Sequence, residues 1–429
     1  MQDVETRQRI CKLLKKEVVP AIGSVHPMAV ALCTARAAEL LGVRPQAIRV
    51  FLSANILKNA MGVGIPGTGM IGLPIAVALG AVVGKSDYQL EVLKDMTPRA
   101  LDDARTMVDG GQICINLQPE CTEMLYIRVQ CEAEGRQTEA IIAGAHTKFV
   151  YLHDGNHVLL DKRRGGQGSH DDDDIQLRMQ MVYDFATTTP VEELRFILSA
   201  RDYNMKAAAD AIKGNYGHSL GKTMDRPLSR GIFGNSIFSH IIAKTASACD
   251  ARMGGALIPV MSNSGSGNQG ICATNPVAVY AMENENTEEE LIRALTLSHL
   301  TAVYIKQSLG RLSALCGCVV ASIGSSCGIT YLMGGDYVRV CHSVKNMIAN
   351  LTGMICDGAK PSCSLKISSG VSTALLSALL SMEGKCVSAA EGIIDDDVDR
   401  CIHNLTSIGA DAMRATDAMV LDIMTHKTC

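Results

Sequence analysis

Apolar and polar positions change period along the chain, and the changes predict its elements. Residues 3–19 set apolar side chains at helical spacing among charged ones and predict an amphipathic helix. A break from Pro20 to Pro27 follows, and 28–41 predicts a second, Ala-rich helix. Residues 48–54 have strand character. A Gly-rich loop over 55–72 leads into an apolar helix ending near Gly84. Residues 88–108 predict a further helix, closed by Gly110 and Gly111. Then the period shifts to two. Residues 112–117, 124–132, 137–145 and 150–153 alternate or run β-branched between turn residues, which predicts an antiparallel sheet. From Ile175 the helical period returns. It predicts helices over 192–200, 205–214, 236–251, 287–308, 312–324, 344–351, 369–381 and 396–424.

The pattern describes an α+β protein. A predominantly helical part covers 175–429, and a smaller part with the sheet covers 48–165. N-terminal helices over 1–47 are expected to pack on the catalytic part. The charged, Gly-rich stretch 162–174 marks the boundary. Its four aspartates, Asp171 to Asp174, read as a solvated loop and not as a metal site.

Composition narrows the function. The net charge is −4 with no basic stripe, which argues against a nucleic-acid partner. The N-terminus lacks the apolar core of a signal peptide. The longest apolar run, 70–84, is shorter than the roughly 20 residues a spanning helix needs. A cytoplasmic protein with no membrane partner is expected, and its apolar composition suits a homodimer. Sixteen cysteines in such a chain are not a disulfide framework. With no C-x-x-C, zinc ribbons and thioredoxin chemistry have little support. Cys316 and Cys318 form a C-x-C; on a helix they would diverge, so at most one is expected in a given site.

Three overlapping or isolated G-x-G-x-x-G matches (from Gly62, Gly67 and Gly265) lack the βαβ context of a dinucleotide site. The stretch 262–270 is more informative. It packs Ser262, Asn263, Ser264, Ser266, Asn268 and Gln269 among glycines, between apolar flanks. Glycines expose backbone N–H groups and the side chains add donors, a composition that suits an anion or substrate nest. Asn59 and Thr68, with Lys58, give the 55–69 loop the same character; a tight turn is the alternative reading. Arg252, with Asp250 near it in sequence, can clamp a carboxylate, and a structural ion pair between the loops is the alternative. His146 and Lys366 are further polar candidates. Three cysteines complete the set: Cys316 in LSALCG, and Cys356 and Cys363 in GMICDGAKPSC. Two thiolates on one loop and a third at a helix end would make a three-point cradle for an iron–sulfur cluster.

Together, NAMGVGIPGTGMIGLPIA (59–76), DARMGGALIPVMSNSGSGNQGICAT (250–274), LSALCG (312–317) and GMICDGAKPSC (353–363) resemble the L-cysteine desulfidase family. That family is distantly similar to iron–sulfur L-serine dehydratases, and the resemblance spans nearly the whole chain. It implies a 4Fe–4S cluster on Cys316, Cys356 and Cys363, with no pyridoxal phosphate. The implied activity is α,β-elimination on a small amino acid, L-cysteine giving pyruvate, ammonia and sulfide. L-serine or L-threonine dehydration is the alternative, and a non-catalytic amino-acid-binding or redox-sensing homologue is the alternative of another class. Arg252 and the 262–269 loop would orient the substrate. The family's Gly-Cys-Thr-Glu-Pro phrase, thought to act in proton transfer, is here Gly23-Ser24-Val25-His26-Pro27. Ser24 stands for the cysteine and His26 for the glutamate; imidazole, titrating near pH ~6.5, is the candidate base. The last residue, Cys429, is a possible fourth ligand.

Overall fold

A computed structural model describes residues 3–121, 123–163, 175–310 and 313–426. The chain divides into two units. A sheet unit comprises 23–172 and 357–360, and a helical unit comprises 1–22, 173–356 and 361–429. The strands, in chain order, are β1 (Pro20–Ile22), β2 (Ala47–Leu52), β3 (Ile113–Leu117), β4 (Tyr126–Ala133), β5 (Arg136–Ala143), β6 (Phe149–His153), β7 (Val158–Asp161) and β8 (Pro259–Met261).

In the sheet unit, six strands run in the order β3-β2-β4-β5-β6-β7. Strand β4 shows why they form: Ile127, Val129, Cys131 and Ala133 point inward, while Arg128 and Gln130 point outward to share Glu139. The inner face is covered by the helix Val25–Leu41, tied down where Thr138 Oγ1 donates to Ala37 O at 2.7 Å. The sheet is mixed, not purely antiparallel: β2 and β3 pair in parallel, Ile48 opposite Ile113. The long helical crossover between them is what a parallel pair requires.

Three further expectations are corrected here. The sequence boundary at residue 47 falls instead at Ile22, because the Val25–Leu41 helix packs on the sheet. This helix starts before Pro27, since a proline in the first turn forfeits no helical hydrogen bond. The single helix over 88–108 is a 3₁₀ turn, Ser86–Glu91, and then a helix, Pro98–Asp109. Thr97 caps the latter, accepting from Ala100 N at 3.2 Å, with Pro98 at its first position.

The helical unit is built around the Gly317–Leu332 helix, which packs against Gly267–Glu283, Glu288–Leu309, Tyr337–Asn350 and Cys363–Met382. Gly324 makes this possible: a Cβ there would lie 2.2 Å from Ser298 O. The helix expected over 312–324 begins only at Gly317, because Leu315 bridges Ile355 in extended conformation. The helix expected over 396–424 is split into Val398–Ser407, a π turn at Ile408–Ala412, and Arg414–His426. Cys363–Met382 is the one described helix long and apolar enough to cross a membrane, and half of that window is buried inside the protein.

Candidate functional site

The three cysteines sit where backbone geometry changes. Cys316 is the residue before the Gly317–Leu332 helix, and Cys363 opens Cys363–Met382. Cys356 lies on the extended segment between. Two backbone bonds clamp that segment: Cys316 N to Met354 O and Cys356 N to Ala314 O, both 2.7 Å. The clamp brings the Cys316 and Cys356 thiols into hydrogen-bond contact. Cys363 lies within electrostatic reach of both Cys316 and Cys318.

The thiol group is larger than the sequence suggests. Cys318 hydrogen-bonds to Cys316 on one side and to Cys272 on the other, and Cys249 is close enough to feel Cys363 and Cys316. The argument that a C-x-C diverges does not hold, because Cys316 precedes the helix and has extended backbone angles. The C-x-C was the available signal; Cys249 and Cys272 had none. The bond with Cys318, and then burial, raises the Cys316 thiol above its ordinary value. The bond with Cys272, and then burial, does the same to Cys318. Burial raises Cys249.

Beside the thiols lies Arg252, on the last turn of the Ile237–Met253 helix and 6% exposed. Its guanidinium donates to Asn268 Oδ1 at 3.0 Å, which also accepts from Cys249 Sγ at 3.6 Å. Its Nε has no partner, and neither has the buried Oε1 of Gln269. Burial pulls Arg252 below its ordinary value; negative charge at Cys249, Cys318 or Cys363 acts in the opposite direction. Asp250 is not its ion-pair partner: one carboxylate oxygen accepts from Gly221 N at 3.1 Å and the group bonds Ser364. Burial raises Asp250 above the usual carboxylate range.

The polar stretch 262–270 splits into two roles. Asn268 and Gln269 belong to the first turn of the Gly267–Glu283 helix and face the thiols, with Gln269 against Gly317. The remainder holds the backbone in place. Ser262 Oγ donates to Val19 O (2.6 Å), Ser264 Oγ to Asn263 Oδ1 (2.8 Å), and Ser266 caps the helix through Gln269 N. Asn263 is fully buried and donates to His299 O and to His299 Nδ1. His299 is thus a supporting residue that the sequence reading missed.

The other candidates lie in the sheet unit. Thr68 Oγ1 donates to Ile65 O (2.8 Å) and accepts from Met70 N, so it closes a turn. Asn59 Nδ2 turns back to Asn55 at 2.7 Å. Ser24 is buried at the head of the Val25–Leu41 helix without a side-chain capping bond. His26 meets His146 edge to face, ring centroids 5.0 Å apart. Lys58 is buried on the Ala54–Ala60 helix. In the helical unit, Lys366 Nζ donates to Ile355 O at 2.6 Å. Cys429 lies outside the described residues.

Among the described residues, no three His, Cys, Asp or Glu side chains converge as ligands of a single ion. A cubane cluster asks for something else, one thiolate at each of several irons around an inorganic core. The residues here fit such a group. Three helices, Gly267–Glu283, Gly317–Leu332 and Cys363–Met382, begin beside the thiols and direct the positive ends of their dipoles there. Arg252 adds a full positive charge. The close approach depends on missing side chains: a Cβ on Gly267 would lie 2.2 Å from Arg252 Nε, and one on Gly317 2.6 Å from Gln269 Nε2. The arrangement suits a negatively charged group.

The family model described as serine dehydratase alpha chain matches residues 87–422. A UPF0597 protein of Bacteroides fragilis is 62% identical over 99% of both chains. One from Parabacteroides distasonis is 55% identical over the full length of both. One from Shewanella pealeana is 41% identical over 96% of this chain and 97% of its own. By the extent of these matches, the chain belongs to the serine dehydratase alpha chain family and is similar along its whole length to UPF0597 proteins.

Proposed function

We propose that this protein is an iron–sulfur amino-acid lyase that converts L-cysteine to pyruvate, ammonia and hydrogen sulfide. The carrying observation is the convergence of Cys316, Cys356 and Cys363 with three helix N-termini and the buried Arg252. Membership in the serine dehydratase alpha chain family supports the lyase class. Cys316, Cys356 and Cys363 would hold a 4Fe–4S cluster. Bound there, the cluster supplies a Lewis-acidic iron.

The chain's own residues do the rest. An α-amino acid carries an acceptor, its carboxylate, and a donor, its ammonium. Arg252 Nε is a buried donor without an acceptor, and Gln269 Oε1 a buried acceptor without a donor. Their deficits complement the two ends of a zwitterion. Burial excludes water and strengthens both interactions. Elimination further requires a base to take the α-proton. The Cβ–S bond breaks, sulfide leaves with a proton, and the enamine product hydrolyses in water to pyruvate and ammonia. No pyridoxal phosphate is required. No disulfide joins any of the fifteen described cysteines, which suits a reducing, cytoplasmic setting. Carbon–oxygen elimination from L-serine or L-threonine is the second reading, favoured by the description of the matching family.

Anaerobically purified protein is expected to contain about four irons with acid-labile sulfide per chain, lost in Cys356→Ser. It should then release sulfide from L-cysteine faster than pyruvate from L-serine. The reverse preference selects the second reading. Protein that stays iron-free after reconstitution sinks both.

A further inference from the structure

We propose that the exposed face of the Cys363–Met382 helix is a dimer interface, pairing antiparallel with the same face of a second copy across a two-fold axis. Leu365, Leu376, Leu379 and Leu380 are each about half exposed on this helix, at 51, 50, 48 and 50%. With Ser369, Ser372 and Thr373 they form one stripe at helical spacing. The opposite side is buried through Ile367, Val371, Ala374 and Ala378. Lys366 is the one charged residue in the 20-residue helix, and Glu383 directly follows it. An apolar stripe of this length, left to water, marks a contact surface.

The pattern is self-complementary. Bulky leucines crowd the C-terminal half of the stripe, and small Ser369, Ser372 and Thr373 occupy the N-terminal half. An isologous interface requires residue i of one copy to meet j of the other, and j to meet i. Antiparallel pairing that sets Lys366 against Glu383 also sets Leu376 on Thr373 and Leu380 on Ser369. Large then meets small twice, and opposite charges meet at both ends. From Leu365 to Glu383 the stripe runs about 27 Å at the α-helical rise. A stable dimer buries about 800 Å² per partner, a patch about 28 Å across. The stripe therefore spans the full width of such a face.

A cavity of about 580 Å³ adjoins the stripe; its lining mixes apolar Leu376, Leu380, Val387 and Ile394 with polar Asn346 and Thr352. It supplies depth beside the leucine ridge. The acidic neighbours Glu383 and Glu391 would repel an anionic lipid surface. A second copy matches the face better.

Sedimentation equilibrium of the full chain tests this. The expected species weighs about 91 kDa, twice the 45.7 kDa chain. Leu376→Glu and Leu380→Glu should each raise the dimer dissociation constant about 100-fold, the loss expected for a central apolar anchor. Glu383→Lys should weaken the dimer, and Lys366→Glu added to it should restore association. Leu228→Glu, at a 77% exposed leucine elsewhere, should leave the dimer intact. Circular dichroism melts check that each variant folds. A monomer at about 100 µM, or a dimer indifferent to both leucine variants, overturns the proposal. So does equal loss in the Leu228 variant.

Discussion

His299 shows how one side chain fixes the polar stretch beside the thiols. Thr274 Oγ1 donates to Gly270 O at 2.7 Å, so its contact with His299 Nε2 at 2.9 Å must be one it accepts. The proton therefore sits on Nε2, and Nδ1 accepts from Asn263 at 3.1 Å. Both ring nitrogens are used by a neutral imidazole, and burial lowers its pKa to about 3. In the unfolded chain the same ring titrates near ~6.5. The unfolded state then binds the extra proton first. Stability from this group is full above pH ~6.5 and falls towards pH ~3, by up to about 1.4 kcal/mol per pH unit. Urea unfolding at about pH 7.5 and pH 5 should show this fall in the native protein. His299→Gln, which keeps a donor and an acceptor but cannot titrate, should show a shallower fall. Equal pH slopes would rule the mechanism out. Sequence could not reveal this residue, because a lone histidine among Leu295, Leu297 and Leu300 carries no motif. It could reveal Asn263, but not that the asparagine bonds inward to the histidine instead of outward to a ligand.

At the scale of elements, the site is a meeting of helix starts, and start positions were the least legible part of the sequence. Period and glycines placed most helices, the polar stretch and the three cysteines. They could not show that Gly317 and Gly267 are first residues. Those starts depend on tertiary partners, the Leu315–Ile355 bridge and the β1–β8 pairing. The parallel β2–β3 pair was hidden for a similar reason, since strand direction is not encoded in a period of two. Gly270 tests the helix-start argument. A Cβ there would lie 1.9 Å from Met261 O and 2.7 Å from Met261 C, backbone atoms of β8 that no rotamer change can clear. Gly270→Ala should cost about 3 kcal/mol or more in a urea titration. Gly231 is exposed in the Pro227–Phe233 helix with nothing within 4 Å of an added Cβ. Gly231→Ala should gain about 0.5–1 kcal/mol. If Gly270→Ala were equally harmless, the close approach of helix to strand would be wrong.

At the scale of the whole molecule, the two units differ in how the chain builds them. The sheet unit is almost continuous, 23–172 with 357–360 added. Its sheet and the Val25–Leu41 and Leu73–Val82 helices share one core, with Val50, Val77, Val129 and Ala140 fully buried. Residues 23–163 include every strand of that sheet and are long enough for a domain. Expressed alone, they should unfold in urea in one cooperative transition. The helical unit is interrupted, and its first segment is not dispensable. β1 pairs with β8, and Val19 O and Glu17 O accept from Ser262 and Ser264 in the polar stretch. A fragment of 175–429 would leave those donors and the edge of β8 unpaired, at about 1–3 kcal/mol for each buried group. It should be distinctly less stable than a chain in which residue 22 is joined to residue 175 by a Gly/Ser linker. Equal urea midpoints would mean that β1 contributes nothing to the helical unit. A gradual transition in 23–163 would mean that the sheet unit has no independent core.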